Sequence, residues 1–263
     1  MHHVKTRIEA ETAWVTLYRP ERLNAMDRQL MSDLTQALEA VAEHDDVRVV
    51  VLSGAGRVFS VGGDLAAGAG GGVVSDDEDE SVRRMRDFMR ASELLFSMDK
   101  ITIAQLHGAC AGAAFALACA CDLRIASEST VFMTAFLTAG LPGDYGGTWL
   151  LPRIVGAGRA RSMFLLPERL DANQALDWGL VHSVTHDDEG LESEVRATVS
   201  RLNASAPRAL ALMKRNLNDA LRLPFGDLLD LEASRQIECA GTQDAEEAAR
   251  AFVEKREPRF TGR

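Results

Sequence analysis

The sequence predicts an α/β domain that gives way to a helical C-terminal region, and three observations predict it. Strand-like and helix-like patterns alternate from residue 4 to residue 127. Two of the strand-like runs, "VRVVVLSG" at 47–54 and "ITIAQLHG" at 101–108, are nearly continuous in apolar residues, as strands buried on both faces are. After residue 170 the pattern is mainly helical. The 263 residues, 46% of them hydrophobic, suffice for one large core, alone or with a small appendage.

Each element follows from its local pattern. Residues Val4–Ile8 and "TAWVTLYR" at 12–19 read as β-strands, the second alternating as a half-buried strand does. "PERLN" makes a turn, and a helix starts near Asp27 with Leu30, Leu34, Leu38 and Val41 on one face. "GAGRVFSVGGDL" at 54–65 is a Gly-rich turn segment. Residues 66–80 read as a mobile loop, freed by glycine and solvated by an acidic run. A helix resumes near Ser81, with Val82, Met85, Met89 and Phe96 roughly on one side. "GAAFALACA" at 112–120 predicts a buried helix, and "CDLRIAS" a strand after it. This alternation implies crossover connections. A strand–strand–helix unit could recur without sequence identity. The change from core to helical region is placed near residue 200, giving expected units of 1–200 and 201–263.

Composition narrows the function classes. A net charge of −10 argues against nucleic acid as main partner, since that calls for a basic face. No apolar run approaches the roughly 20 residues of a membrane span, and the polar N-terminus does not read as a signal peptide, so the expectation is a soluble cytoplasmic protein without a membrane partner. Cys110, Cys119, Cys121 and Cys239 lack CxxC spacing and read as buried reduced thiols. The histidines are scattered, with His2 and His3 in a frayed terminus, and no HExxH, P-loop or GxSxG motif is present, so no metal site or Ser-His-Asp hydrolase is expected. "GAGRAR" at 156–161 lacks the third glycine of a dinucleotide fingerprint.

The stretch "AGLPGDYGGTWLLPR" at 139–153 sets one acid, Asp144, among glycines and a proline ahead of a helix-like run. Asp144 reads either as an N-cap for that helix or as a base held on a rigid support.

Five segments in order carry a family resemblance: "RPERLNAM" (19–26), "SGAGRVFSVGGDL" (53–65), "HGACAGAAFALACACDLRIASE" (107–128), "GLPGDYGGTWLLPRIVG" (140–156) and "ANQALDWGLVHSV" (172–184). Together they resemble the enoyl-CoA hydratase/isomerase, or crotonase, superfamily over nearly the whole chain. "MTAFLTAGLPGDYGGTWLLPR" and "FVEKREPRFTGR" are most similar to its 1,2-epoxyphenylacetyl-CoA isomerase branch. The resemblance implies repeated ββα units forming a spiral core, with 201–263 as a trimerisation region of a homotrimer or homohexamer. It implies an acyl-CoA thioester as substrate, with coenzyme A entering as part of it and no separate cofactor.

By the same resemblance the backbone N–H groups of Gly63 and Ala113 would hold an enolate oxygen, and small residues there suit close backbone approach. Family hydratases carry two glutamates where this chain has Ala116 and Phe136, which neither take nor give a proton. Asp144 stands where isomerising relatives often carry an Asp, so it becomes the expected base. Phe136, Met133 and Leu141 are candidate apolar walls, and Tyr145 reads equally as a ligand donor or a surface tyrosine. Ala25 and Val61–Leu65, including Asp64 and Leu65, are expected to contact adenine. Arg22 is the local phosphate candidate, with Lys255 or Arg256 from a neighbouring subunit. Asp122 and Asn24 read as structural, His107 as a structural variant, and Glu128 as surface. The expected activity is double-bond shift, or opening of an epoxide-type ring, in a CoA thioester. The alternatives are hydration or another reaction on the same scaffold, and a silent acyl-CoA-binding subunit.

Overall fold

The computed structural model describes residues 3–68 and 71–263; the expectations for His2 and for residues 69–70 of the 66–80 loop lie outside them. The chain opens with an antiparallel pair, β1 (Val4–Glu9) and β2 (Thr12–Leu17), placing Val4 opposite Leu17. His3 is anchored, its backbone N–H donating to Asp33 Oδ2 at 2.6 Å, so the expected frayed end is corrected there. β3 (Val49–Gly54), β4 (Ile101–Leu106), β6 (Leu123–Ser127) and β9 (Ser183–Thr185) continue the sheet in parallel, in the order β1-β2-β3-β4-β6-β9. A second small sheet orders β5 (Ala109–Ala111), β7 (Val131–Met133) and β8 (Leu170–Asp171).

The two sheets reveal the repeat. β4, β5 and the helix α3 (Gly112–Ala120) form one strand–strand–helix unit, and β6, β7 and α4 (Gly147–Val155) another. The stretch from β3 to α2 (Glu78–Ser97) forms a third, with Ser60 bridged to Cys110 in the place of its second strand. The short strands were invisible to periodicity because two or three residues carry no period.

The large sheet is buried on both faces. Ala13, Val15 and Leu17 of β2 point into the main core, while Trp14, Val49, Val51, Ile103 and Ile125 pack against Leu191, Val195 and Val199 of α7 (Asp188–Asn203). The half-buried reading of β2 is thereby corrected: α7 covers the face that alternation assigns to solvent. α1 (Arg28–Ala42) packs its Leu30, Leu34, Leu38 and Val41 stripe inward and is capped by Asp27, which accepts from Leu30 N at 2.8 Å.

The acidic run is the first turn of α2, not a solvated loop. Asp77 accepts from Glu80 N at 3.0 Å, and Glu78, Asp79 and Glu80 sit at the positive end of the helix dipole. Val73, between the glycines and this cap, is buried in the core, and Val82, expected inward, is exposed.

All nine residues of α3 are buried. Its alanines let α4 come close: a Cβ on Gly147 would lie 3.1 Å from Ala116 Cβ. α5 (Ala157–Leu165), which includes most of "GAGRAR", and α6 (Ala172–Asp177) complete this layer. Residue 200 falls within α7. α8 (Pro207–Ala220) is fastened by Lys214, whose ammonium pairs with Asp122 at 2.8 Å and donates to Leu95 O and Lys100 O. α9 (Phe225–Ala240) buries no residue in this chain, and α10 (Gln243–Glu254) follows it. Cys110, Cys119 and Cys121 are buried as free thiols, and burial pushes Cys119 and Cys121 up to about 12. Cys239, expected buried, is half-exposed on α9. Among the described residues no helix is long and apolar enough to cross a membrane.

Candidate active site

Gly63 is placed by two turns that lock together. Asn24 donates its amide to the carbonyls of Ala55, Val58 and Phe59 at 2.8–3.0 Å while accepting from Arg19 N, so the "RPERLN" and "GAGRVF" turns share one buried hub. Beside it Met26 forms a parallel bridge to Gly63 through Gly62 O and Asp64 N. That bridge leaves Gly63's own N–H and C=O turned away from Met26. Ser60 pairs with Cys110, so the same segment is tied to the strand that leads into α3. Gly62 has φ +86°, and a Cβ there would meet Ala111 O at 2.7 Å, so glycine is required where the two segments touch. Ala113 is the second residue of α3, where backbone N–H groups have no intrahelical acceptor.

Gly63 and Ala113 line one cavity of 140 Å³. Val61, Leu65, Phe136, Leu141, Asp144 and Tyr145 line it with them. Of the residues singled out in the sequence, eight thus converge from three segments.

Asp144 supplies the only carboxylate among the described residues lining the cavity. Its backbone C=O accepts from Gly147 N, but its side chain caps nothing: α4 begins after Gly146, in the left-handed region at φ 76°, with no side-chain cap. The N-cap alternative is therefore excluded. Asp144 Oδ1 is buried without a hydrogen-bond partner among the described residues. Burial, with no cation to offset it, raises the carboxyl from 3.8 to about 7. Phe136 stacks on Phe164 of α5, ring centroids 6.2 Å apart, and both rings approach Gly143, the residue before Asp144. The surface reading of Tyr145 is corrected: only 1% of it is exposed.

The glutamate-free positions are explained by packing. Ala116 lies against Gly147 and outside the cavity lining, while Phe136 offers an aromatic wall. Met133 does not reach the cavity. Asp122 accepts from Thr102 N and Oγ1 and pairs with Lys214, and His107 Nε2 lies 2.9 Å from Gly56 O; both are structural. Glu128 is exposed and pairs with His186.

Three expected contacts do not line the cavity. Ala25's carbonyl already accepts from Arg19 Nη1 at 2.6 Å. Asp64 is buried, pairs with Arg19 at 3.1 Å, and caps the short turn after it by accepting from Ala66 N. Burial alone would raise its carboxyl, but the Arg19 and Ala66 hydrogen bonds and the two arginine charges hold it below its ordinary value. Arg22 is half-exposed and stands 3.6 Å from Asp64 Oδ1. Arg256 is paired with Glu247 and Glu254. Met26, Met31 and Met85 also line the cavity and were not singled out; Met26 stood inside the quoted "RLNAM", but a methionine in an apolar pattern carries no site signal. Among the described residues no cluster of His, Cys, Asp or Glu is arranged to hold a metal.

The enoyl-CoA hydratase/isomerase family model matches residues 7–263. The chain belongs to this family. It is 37% identical to a probable enoyl-CoA hydratase of Rhodobacter capsulatus, covering 100% of this chain and 99% of that one. It is 35% identical to the 1,2-epoxyphenylacetyl-CoA isomerase of Escherichia coli over 100% of both chains. A solved Mycobacterium abscessus structure, provisionally assigned as enoyl-CoA hydratase/isomerase, superposes with a TM-score of 0.92 at 36% identity, covering 99% of this chain and 100% of that one. The chain is a crotonase-superfamily enzyme with the crotonase fold, and its family acts on acyl-CoA. Gly112 and Ala113 at the start of α3 form the floor of the cavity, and residues between Ala135 and Tyr145 form its wall.

Proposed function

We propose that this enoyl-CoA hydratase/isomerase family member is an acyl-CoA isomerase with Asp144 as its single acid–base group. One observation carries the reading: the cavity that holds Gly63 and Ala113 contains one carboxylate, and the two positions where hydratases carry glutamates are Ala116 and Phe136. Hydration calls for groups that deprotonate water and deliver a proton to carbon; a 1,3-proton shift needs one shuttle. In this reading the Asp144 carboxylate takes the proton from the carbon between the thioester carbonyl and the double bond. The C–H electron pair moves into a dienolate whose charge rests on the thioester oxygen. The N–H groups of Gly63 and Ala113 donate to that oxygen, a contribution of ~100–1000-fold per donor. The carboxylic acid then returns the proton two carbons along. The apolar surroundings make Asp144 a stronger base than an exposed carboxylate.

Relatives named as hydratase and as isomerase are both close, so the choice rests on the cavity. CoA would enter only as part of the substrate. The test is a spectrophotometric comparison of a 3-enoyl-CoA and a 2-enoyl-CoA, for the native protein and Asp144→Asn. Conversion of the first, without hydration of the second and lost in the variant, is expected. Rapid hydration of the 2-enoyl-CoA would overturn the reading.

A further inference from the structure

Four buried polar side-chain atoms lack a hydrogen-bond partner among the described residues: Trp14 Nε1, Asn203 Oδ1, Asp144 Oδ1 and Tyr145 Oη. The first two belong to the packing between the large sheet and α7, away from the cavity. The other two are consecutive residues of the cavity wall. Asp144 has a role in the proton shift. Tyr145 has none, yet it is held at some cost. Its backbone is left-handed at φ 49°, a strained state for a bulky L-residue, and Ser92 Oγ of α2 donates to its carbonyl at 2.7 Å. A buried hydroxyl without a partner is itself unfavourable. A phenylalanine would fill the same space without that penalty.

The rest of the lining offers no substitute donor. Its other hydroxyl, Thr138 Oγ1, already donates to Ala135 O at 2.7 Å. Tyr145 is therefore the one uncommitted side-chain hydroxyl on the wall, next to the base and distinct from the Gly63 and Ala113 amides.

We propose that Tyr145 donates a hydrogen bond to an oxygen carried on the acyl chain itself, so that the preferred substrates are oxygen-bearing acyl-CoA thioesters (epoxide, hydroxyl or carbonyl) over plain unsaturated ones. The proposal rests on the acyl-CoA reading of the cavity given above. A substrate oxygen completes the phenol, and a plain chain leaves it unpaired, which is how a buried polar group discriminates.

The experiment is calorimetric binding of hexanoyl-CoA and of 3-, 4- and 5-hydroxyhexanoyl-CoA to the native protein and to Tyr145→Phe, with Tm measured for both. At least one hydroxyacyl-CoA is expected to bind the native protein about three- to tenfold tighter than hexanoyl-CoA, as one neutral hydrogen bond allows. Tyr145→Phe should abolish that preference, bringing the ratio of the hydroxyacyl-CoA and hexanoyl-CoA Kd values to about one, and unfold at an equal or higher Tm. Three results would overturn the proposal: no hydroxyacyl preference in the native protein, a preference that survives in Tyr145→Phe, or a lower Tm in the variant, which would mean that the phenol has a partner within the fold. Failure of all four thioesters to bind would instead remove the acyl-CoA reading on which the proposal stands.

Discussion

Asp144 works against the fold that holds it. Its folded carboxyl titrates near 7 and its unfolded one near 3.8, so between those values the folded state keeps a proton that the unfolded chain has released. Stability contributed by this group is complete below pH 3.8, falls as pH rises toward 7, and stays reduced above it. Asp144→Asn should therefore be more stable than the native protein at pH 8, by at most about 4 kcal/mol, with the gain vanishing below pH 4. Parallel chemical denaturation at the two pH values measures it. In the proposed mechanism the active form is the carboxylate, so kcat/KM of the native protein should rise through about pH 7 and level off above. The amide variant should lose at least about 100-fold with no such rise. Asp144 stood out in the sequence as a lone acid in a glycine-rich turn, whereas Gly63 and Ala113 came only from the family resemblance; all three line one cavity. Tyr145 was half legible: the sequence offered it equally as a ligand donor and a surface residue, and its burial, with Ser92 of α2 donating to its carbonyl, is seen only in the structure. The ion pair of Asp64 was out of reach of sequence reasoning: its partner Arg19 lies 45 residues away in sequence, and proximity in space cannot be read from spacing.

At the scale of elements, the α3–α4 contact decides how the wall sits on the floor. Gly147→Ala should destabilise by roughly 1–3 kcal/mol, because the new methyl meets Ala116 Cβ at 3.1 Å and Phe164 stands behind it. Adding Ala116→Gly should recover most of that loss, a coupling that a double-mutant cycle by thermal melts would show. α8 depends on a different kind of contact. Asp122→Ala leaves the Lys214 ammonium buried with two carbonyls and no counter-charge, a change expected to lower stability by about 3–5 kcal/mol. The long strands and helices were readable from their periods. The three-residue strands of the second sheet were not, and neither was the burial of β2 on both faces, which depends on α7, a helix some 170 residues downstream.

One region of the molecule leaves large apolar side chains to water: Phe225, Ile237, Phe252 and Val253 are 74–85% exposed on the C-terminal helices. We propose that a second copy of the chain covers it, in the trimer or paired trimer the sequence resemblance implies. Sedimentation velocity should show a trimer or larger, and Phe252→Glu should shift it toward monomer. A native monomer would refute this.

The bridges Met26–Gly63 and Ser60–Cys110 bear on descent as well as on catalysis. The Ser60–Cys110 bridge fastens the Gly63 segment to the strand leading into Ala113, and the Met26–Gly63 bridge fastens it to the 19–26 segment, both through backbone. On the proposed reading of the cavity, point changes at Phe136, Leu141 or Tyr145 alter what it accepts while the Gly63 and Ala113 amides stay in register.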